Sequence, residues 1–229
     1  MIKPFGERDL HSTIEMAIYK HKSTEKLLKS MESSINALAM ALEMRDPYTA
    51  GHQRHVAELA EAIAREMNRS DDEIKGIYFT ALIHDVGKIH VPAEILSKPG
   101  ELSKTEFEII KLHSQAGYDI LKKIDFPWPI AEIAYQHHER LDGSGYPRGL
   151  KGEKILPQAR IIAVADAVEA MLSHRPYRAA LGVEKALEEI ENDRTTLYDP
   201  EVVDACLKLF REKGFKFSEA NKGTVYLIL

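Results

Sequence analysis

Cysteine is almost missing from this chain of 229 residues: Cys206 is the only one. No disulfide can close within it, and no thiolate cluster can hold a metal. Long apolar runs are missing as well. The longest have about five to seven residues, against roughly 20 for a membrane span, and the N-terminus has no signal-peptide pattern. An excess of basic charge is also lacking. The formal charge of −5 argues against binding nucleic-acid polymers, although a small anion can still be held in a locally positive pocket. These absences lead us to expect a cytoplasmic protein with neither a membrane nor a nucleic-acid polymer as partner. What is present is ordinary for a soluble domain: 44% of residues are hydrophobic and 29% charged. The length suits one good-sized core.

Nearly every segment reads as helix. Between Asp9 and Met44 there is neither glycine nor proline, which predicts one unusually long helix. Within it Ile14, Ala17, His21, Thr24, Leu28, Met31, Ile35, Leu38 and Leu42 follow alternating steps of three and four. That is coiled-coil spacing, and it predicts a parallel homodimer seam through the first half. Asp46 and Pro47 open the next helix, which carries His52 and runs to about Met67. Capping boxes at Ser70–Glu73 and Ser103–Glu106 open helices expected to reach Lys88 and about Lys123. Further helices are expected over about 129–140, from Pro157 to Met171, and over about 183–192 and 200–213, the last capped by Asp199. The tail "GTVYLIL" is β-prone and has no assigned place. The fold class is therefore all-α.

The stretch "ALIHDVGK", residues 81–88, is unusual for a helix in a core. If the helix is continuous, Ala81, His84, Asp85 and Lys88 share one face. A carboxylate and an imidazole there are costly to bury without partners. A His–Asp hydrogen bond or an ion pair with Lys88 would satisfy them without any further function. The chain has ten histidines, however. His113 falls mid-helix, His137 continues the apolar face of Ile130, Ile133 and Ala134, and His138 flanks it. Asp166 ends the run "RIIAVAD". Singly, each is more often a packed, hydrogen-bonded residue than a ligand. Together they are harder to explain that way, because a bound metal satisfies several buried polar groups at once.

The segments "RDPYTAGHQR", "HDVGKIHVP", "HHERLDGSGYPRGL" and "RIIAVADAVEAM", with the later "RPYR", closely resemble the HD-GYP domain, a branch of the HD phosphohydrolases. The resemblance implies an HD-type helical bundle over residues 36–213, followed by a tail over 214–229. It implies metal ligands at His52, His84, Asp85, His113, His137, His138 and Asp166. His113, His137 and His138 would hold one of two divalent cations, and His52, His84 and Asp166 the other. Asp85 would bridge them. Iron or manganese is the expected metal. The implied reaction is hydrolysis of cyclic di-GMP to pGpG and on to GMP, by a hydroxide bridging the two cations. Asp85 and Lys88 are the implied catalytic residues. Lys88, Tyr146, Arg175, Tyr177 and Arg178 are the candidate substrate contacts.

Two positions depart from the family pattern. Tyr48 stands where some members place a glutamate for a third metal, and His55 replaces the usual arginine. Other readings stay open: a sensor of cyclic di-GMP with little turnover, a docking protein for a GGDEF diguanylate cyclase through the GYP loop, or a hydrolase of another cyclic dinucleotide such as cyclic GMP–AMP. The opening "MIKPF" and the helix after it resemble the end of a response-regulator receiver domain. The resemblance implies that residues 1–35 are a receiver remnant and a long N-terminal linker helix, and that the chain is a fragment or a truncated relative of a two-component protein that joins a receiver to an HD-GYP domain.

Overall fold

A computed structural model describes residues 7–45, 51–173 and 180–218. Among these, the regular elements are helical, apart from one isolated bridge between Arg194 and Tyr198. The chain divides into two units, Met1–Ala37 and Leu38–Leu229. Within the first runs most of α1 (Glu7–Arg45), and its side chains from Arg8 to Leu27 are all exposed. The stretches "MIKPF" and Asp46–Pro47, and residues 219–229 of the tail, lie outside the described residues. No described helix is long and apolar enough to cross a membrane.

The second unit is built from α2 (His52–Glu66), α3 (Asp71–Ile83), α4 (Ala93–Leu96), α5 (Lys104–Leu121), α6 (Ile130–Gln136), α7 (Pro157–Leu172), α8 (Val183–Asn192) and α9 (Pro200–Arg211). Amphipathic spacing explains most of the packing. α8 buries Ala186, Leu187 and Ile190, and α9 buries Val202, Val203, Ala205, Cys206 and Leu209, each as one apolar stripe. α7 differs: Ile161 to Ala165 are all buried, as expected of a helix enclosed on every side. It packs on α2, α8 and α9 and also touches α3 and α6. The buried carboxylate of Glu169 on α7 therefore faces another element rather than solvent.

Both expected capping boxes form. The Ser70 hydroxyl accepts the Glu73 N–H at 3.2 Å, and the Glu73 carboxylate accepts the Ser70 N–H at 3.3 Å. Ser103 and Glu106 repeat the pair at 3.3 and 2.7 Å. Each such cap contributes about 1 kcal/mol. Asp199 caps α9 by accepting the Glu201 N–H at 3.0 Å.

Two helices end earlier than the sequence suggests. α3 stops at Ile83, and Val86–His90 forms a 3-10 turn in place of a continuous helix to Lys88. The reason is a close backbone crossing: a Cβ on Gly87 would overlap the His113 carbonyl oxygen and the Gly117 nitrogen of α5. α6 stops at Gln136 rather than running to Arg140. Beyond it the chain folds back, so that a Cβ on Gly145 would overlap the backbone of His138 to Arg140. The returning loop is tied to the end of α6. The buried Glu139 carboxylate accepts the N–H groups of Arg148 and Leu150, both at 2.8 Å, and Gln136 accepts that of Leu156 at 2.8 Å.

Candidate metal centre

Four helices and two turns bring the seven candidate ligands together. His52 begins α2, His84 caps the C-terminus of α3, and Asp85 follows it. His113 projects from α5, His137 and His138 follow α6, and Asp166 lies on α7. His84, Asp85, His113 and His137 are all at most 2% exposed.

Asp85 is at the centre, and its two oxygens face different partners. Oδ2 lies 3.8 Å from His52 Nε2 and 3.4 Å from His84 Nε2. Oδ1 lies 3.4 Å from His113 Nε2 and 4.0 Å from His137 Nε2. Asp166 Oδ1 adds a second carboxylate oxygen, 3.3 Å from His52 Nε2 and 3.9 Å from His84 Nε2. The Lys88 ammonium reaches Asp85 Oδ2 at 2.6 Å, so that early helix termination leaves the lysine on the centre.

Three of the imidazoles are oriented by one repeated device. Nδ1 of His84, His113 and His137 contacts the backbone carbonyl three residues earlier, in Ala81, Ile110 and Ala134, at 2.7, 2.7 and 2.6 Å. Such a bond places the proton on Nδ1 and leaves the Nε2 lone pair free. These three Nε2 atoms and Asp85 Oδ1 are buried without a hydrogen-bond partner. Several orphaned acceptors converging on one point are expensive for a fold, and a divalent cation removes that cost. One ligand atom from each of Asp85, His113, His137 and His138 lies within 4.8 Å of the others, and the same holds for His52, His84 and Asp85, and for His84, His137 and Asp166. Imidazole and carboxylate donors without sulfur suit a borderline transition metal better than Mg or Ca.

The electrostatics separate the two sides of Asp85. Burial pushes His137 down to about 3, helped by neighbouring His84 and His113, and it pushes His113 and His138 down too. These rings stay neutral, as ligands must. Burial would also lower His52, but Asp166 and Glu169 outweigh it and raise the ring to about 9. Asp85 is held well below the usual carboxylate range. Burial opposes this, and Lys88, His84, His113 and His137 outweigh it. Asp166 is likewise low because His52, His84 and His138 outweigh its burial.

Tyr146, in the GYP loop, borders the centre with its ring centroid 4.6 Å from that of His138, and Lys111 Nζ lies 5.5 Å above it. Arg175, Tyr177, Arg178 and Tyr48 lie outside the described residues. His55 turns away from the cluster, toward Glu169 Oε1 at 3.5 Å and the Phe217 ring at 4.9 Å.

Two acidic residues have parts that the sequence reading did not assign. Glu139 holds the chain just after the GYP loop, residues 143–147, through the N–H groups of Arg148 and Leu150. Glu169 is 2% exposed and hydrogen-bonds His52 Nδ1. Its signal was available: an acidic residue three positions after Asp166, within an otherwise apolar helix.

The HD domain family model matches residues 36–202. A cyclic di-GMP phosphodiesterase of Thermotoga maritima is 47% identical over 180 residues, which cover 78% of this chain and 49% of that protein. The cyclic di-GMP phosphodiesterase response regulator RpfG of Xanthomonas campestris is 36% identical over 228 residues, covering 91% of this chain and 60% of that one. A 3'3'-cGAMP-specific phosphodiesterase 3 of Vibrio cholerae is 39% identical over 178 residues, covering 78% and 39%. The chain thus spans about half the length of the curated relatives it matches. With its matched segment running from α1 into α9 and enclosing every candidate ligand, the chain belongs to the HD domain family.

Proposed function

We propose that this chain is the hydrolase part of a metal-dependent phosphodiesterase that opens cyclic di-GMP to pGpG and continues to GMP. The observation carrying this reading is Asp85, whose two oxygens are divided between His52 and His84 on one side and His113 and His137 on the other, with Nε2 of His84, His113 and His137 unpaired. His52, His84 and Asp166 would hold one divalent cation and His113, His137 and His138 the other, with Asp85 shared and iron or manganese as the metals. Cations bound there would supply Lewis acidity toward the phosphodiester and activate water near neutral pH. Lys88, already beside Asp85, offsets negative charge developing on the phosphoryl oxygens. Tyr146 offers a ring face to a guanine at the rim. Arg175, Tyr177 and Arg178 follow α7 in the chain, and arginine's planar fork suits phosphate.

The relatives named for cyclic di-GMP support the substrate, and the alignment with a response regulator over 91% of this chain supports a receiver preceding the linker helix. The relative named for 3'3'-cGAMP favours a second reading, with the hybrid dinucleotide as substrate. We also propose a homodimer through the first half of α1 and a GGDEF cyclase docked at the GYP loop as partners.

Protein purified without oxygen, loaded separately with ferrous iron or manganese, and mixed with cyclic di-GMP is expected to yield pGpG and then GMP on chromatography. Faster turnover of cyclic GMP–AMP in direct competition would replace the first reading by the second. No product from either dinucleotide, with about two metals bound per chain, would leave a sensor.

A further inference from the structure

His52 is held differently from the other ligand histidines described above. Where His84, His113 and His137 give Nδ1 to a neutral backbone carbonyl, His52 gives it to the carboxylate of Glu169. Glu169 is a costly residue to keep at this position. It lies on α7, 2% exposed, and among the described residues its recorded partners are His52, His55 and the Ser173 hydroxyl, which donates to Oε1 at 2.7 Å. No lysine or arginine is among them. A carboxylate buried like this is compensated only if positive charge lies near it. The group in closest contact is His52, whose far nitrogen faces Asp85 and Asp166. The negative charge of Glu169 therefore acts on whatever positive charge sits at His52 Nε2.

From this geometry we infer that Glu169 is a positioning residue that makes the His52 side of the centre the tighter of two cation positions, so that this side fills first. The inference rests on the two-cation reading of the site. A carboxylate behind a ligand imidazole fixes its tautomer and orientation and makes Nε2 a stronger donor, typically changing metal affinity 10–100-fold. The same charge attracts a cation through the ring, at a place where water does not screen it. His113 and His137, anchored by carbonyls, have no such support. The two positions also differ in their ligands, since Asp166 faces His52 and His84 where the other side has a third imidazole, and Glu169 adds to that difference from behind His52.

The test is a titration of the full chain, stripped of metal by chelation and followed by calorimetry and by the paramagnetic resonance of Mn²⁺. Wild type is expected to bind in two resolved steps, the first giving the spectrum of an isolated ion. Glu169→Gln keeps the shape and removes the charge. It should weaken the first step by roughly 10–100-fold, bringing it toward the second, while Glu169→Asp should recover part of the loss. His113→Ala should retain the tight step and lose the weak one, and His52→Ala the reverse. Thermal unfolding of each metal-free variant separates these effects from loss of fold. Two steps in wild type that Glu169→Gln leaves unmoved would overturn the role of Glu169 alone, as would an equal weakening of both steps. Wild type that binds no Mn²⁺ at all would overturn the metal reading itself.

Discussion

The two units break the rule of burial in opposite ways. In the second, polar atoms lie where apolar ones belong: Nε2 of His84, His113 and His137 and Oδ1 of Asp85 are enclosed without hydrogen-bond partners. In the first, apolar groups lie where polar ones belong, with Leu10 56% exposed and Ile14 49%. Scattered exposed leucines are unremarkable in themselves, but a file of them at coiled-coil spacing is not. Each misplacement is costly to a fold and would be relieved by a different kind of partner: a cation for the buried acceptors, a second apolar face for the exposed helix.

The largest effect that can test this contrast is expected at Asp85. Asp85→Ala removes the carboxylate that faces both groups of imidazoles, so metal content by mass spectrometry should fall to near zero. Hydrolysis should fall with it, on the order of 10³-fold, the several kcal/mol that metal ions contribute to such transition states. Retention of both metals would mean that the imidazoles alone define two sites, and that the divided carboxylate is not what joins them.

A smaller loss is expected at Gly87. Its backbone passes so close to His113 and Gly117 that a methyl group must force α5 away from the 86–90 turn. Gly87→Ala should lower stability by about 3 kcal/mol in denaturant unfolding, toward the upper end for overpacking, and reduce metal content along with it. Unchanged stability would mean that the crossing is loose, and that something else ends α3 at Ile83.

This crossing also marks where the sequence stops being informative. The capping boxes at Ser70 and Ser103 were legible because their partners lie three residues away. The seven candidate ligands stood out because histidines are out of place in apolar helices and because their spacing resembles a known family. The early ends of α3 and α6 were not legible, since each depends on backbone meeting backbone, Gly87 against His113 of a distant helix and Gly145 against the nearby turn after His137. Glu169 had a local signal, three positions after Asp166, but its contact with His52 spans 117 residues of chain. Only the pairing makes it more than an acidic residue on a helix.

Acidity distinguishes the two sides of the centre more gently, in protein stripped of metal. On the His137 side the folded rings refuse protons that the unfolded chain accepts near 6.5. Stability should therefore fall as pH drops from about 6.5 toward about 3, and the depressed Asp85, Asp166 and Glu169 deepen the loss below about 4. His52 has the opposite sign. Its folded value of about 9 lies above the unfolded one, so its contribution is complete below about 6.5 and is lost as pH rises through about 9, on the order of 3 kcal/mol. Thermal midpoints of the metal-free chain should peak near neutrality. Replacing His52 with Gln should flatten the alkaline side only, and bound metal should flatten both. An alkaline fall that survives His52→Gln would assign it to another group.

The smallest effect on chemistry is expected from the first unit. A helix exposed on all sides from Arg8 to Leu27 lacks the packing that gives most helices their stability. Ile14, Ala17, Leu28 and Met31 lie along one seam, so a parallel second copy would bury them as knobs into holes. Deleting residues 1–30 should then halve the mass seen by light scattering, while metal content and per-chain turnover stay within about twofold, because every candidate ligand lies in the second unit. Ile14→Asp should act in the same direction by placing a charge in the seam. A mass unchanged by both would remove the second copy as the partner of this face. The exposed apolar file would then need another explanation, while the buried acceptors around Asp85 would keep theirs.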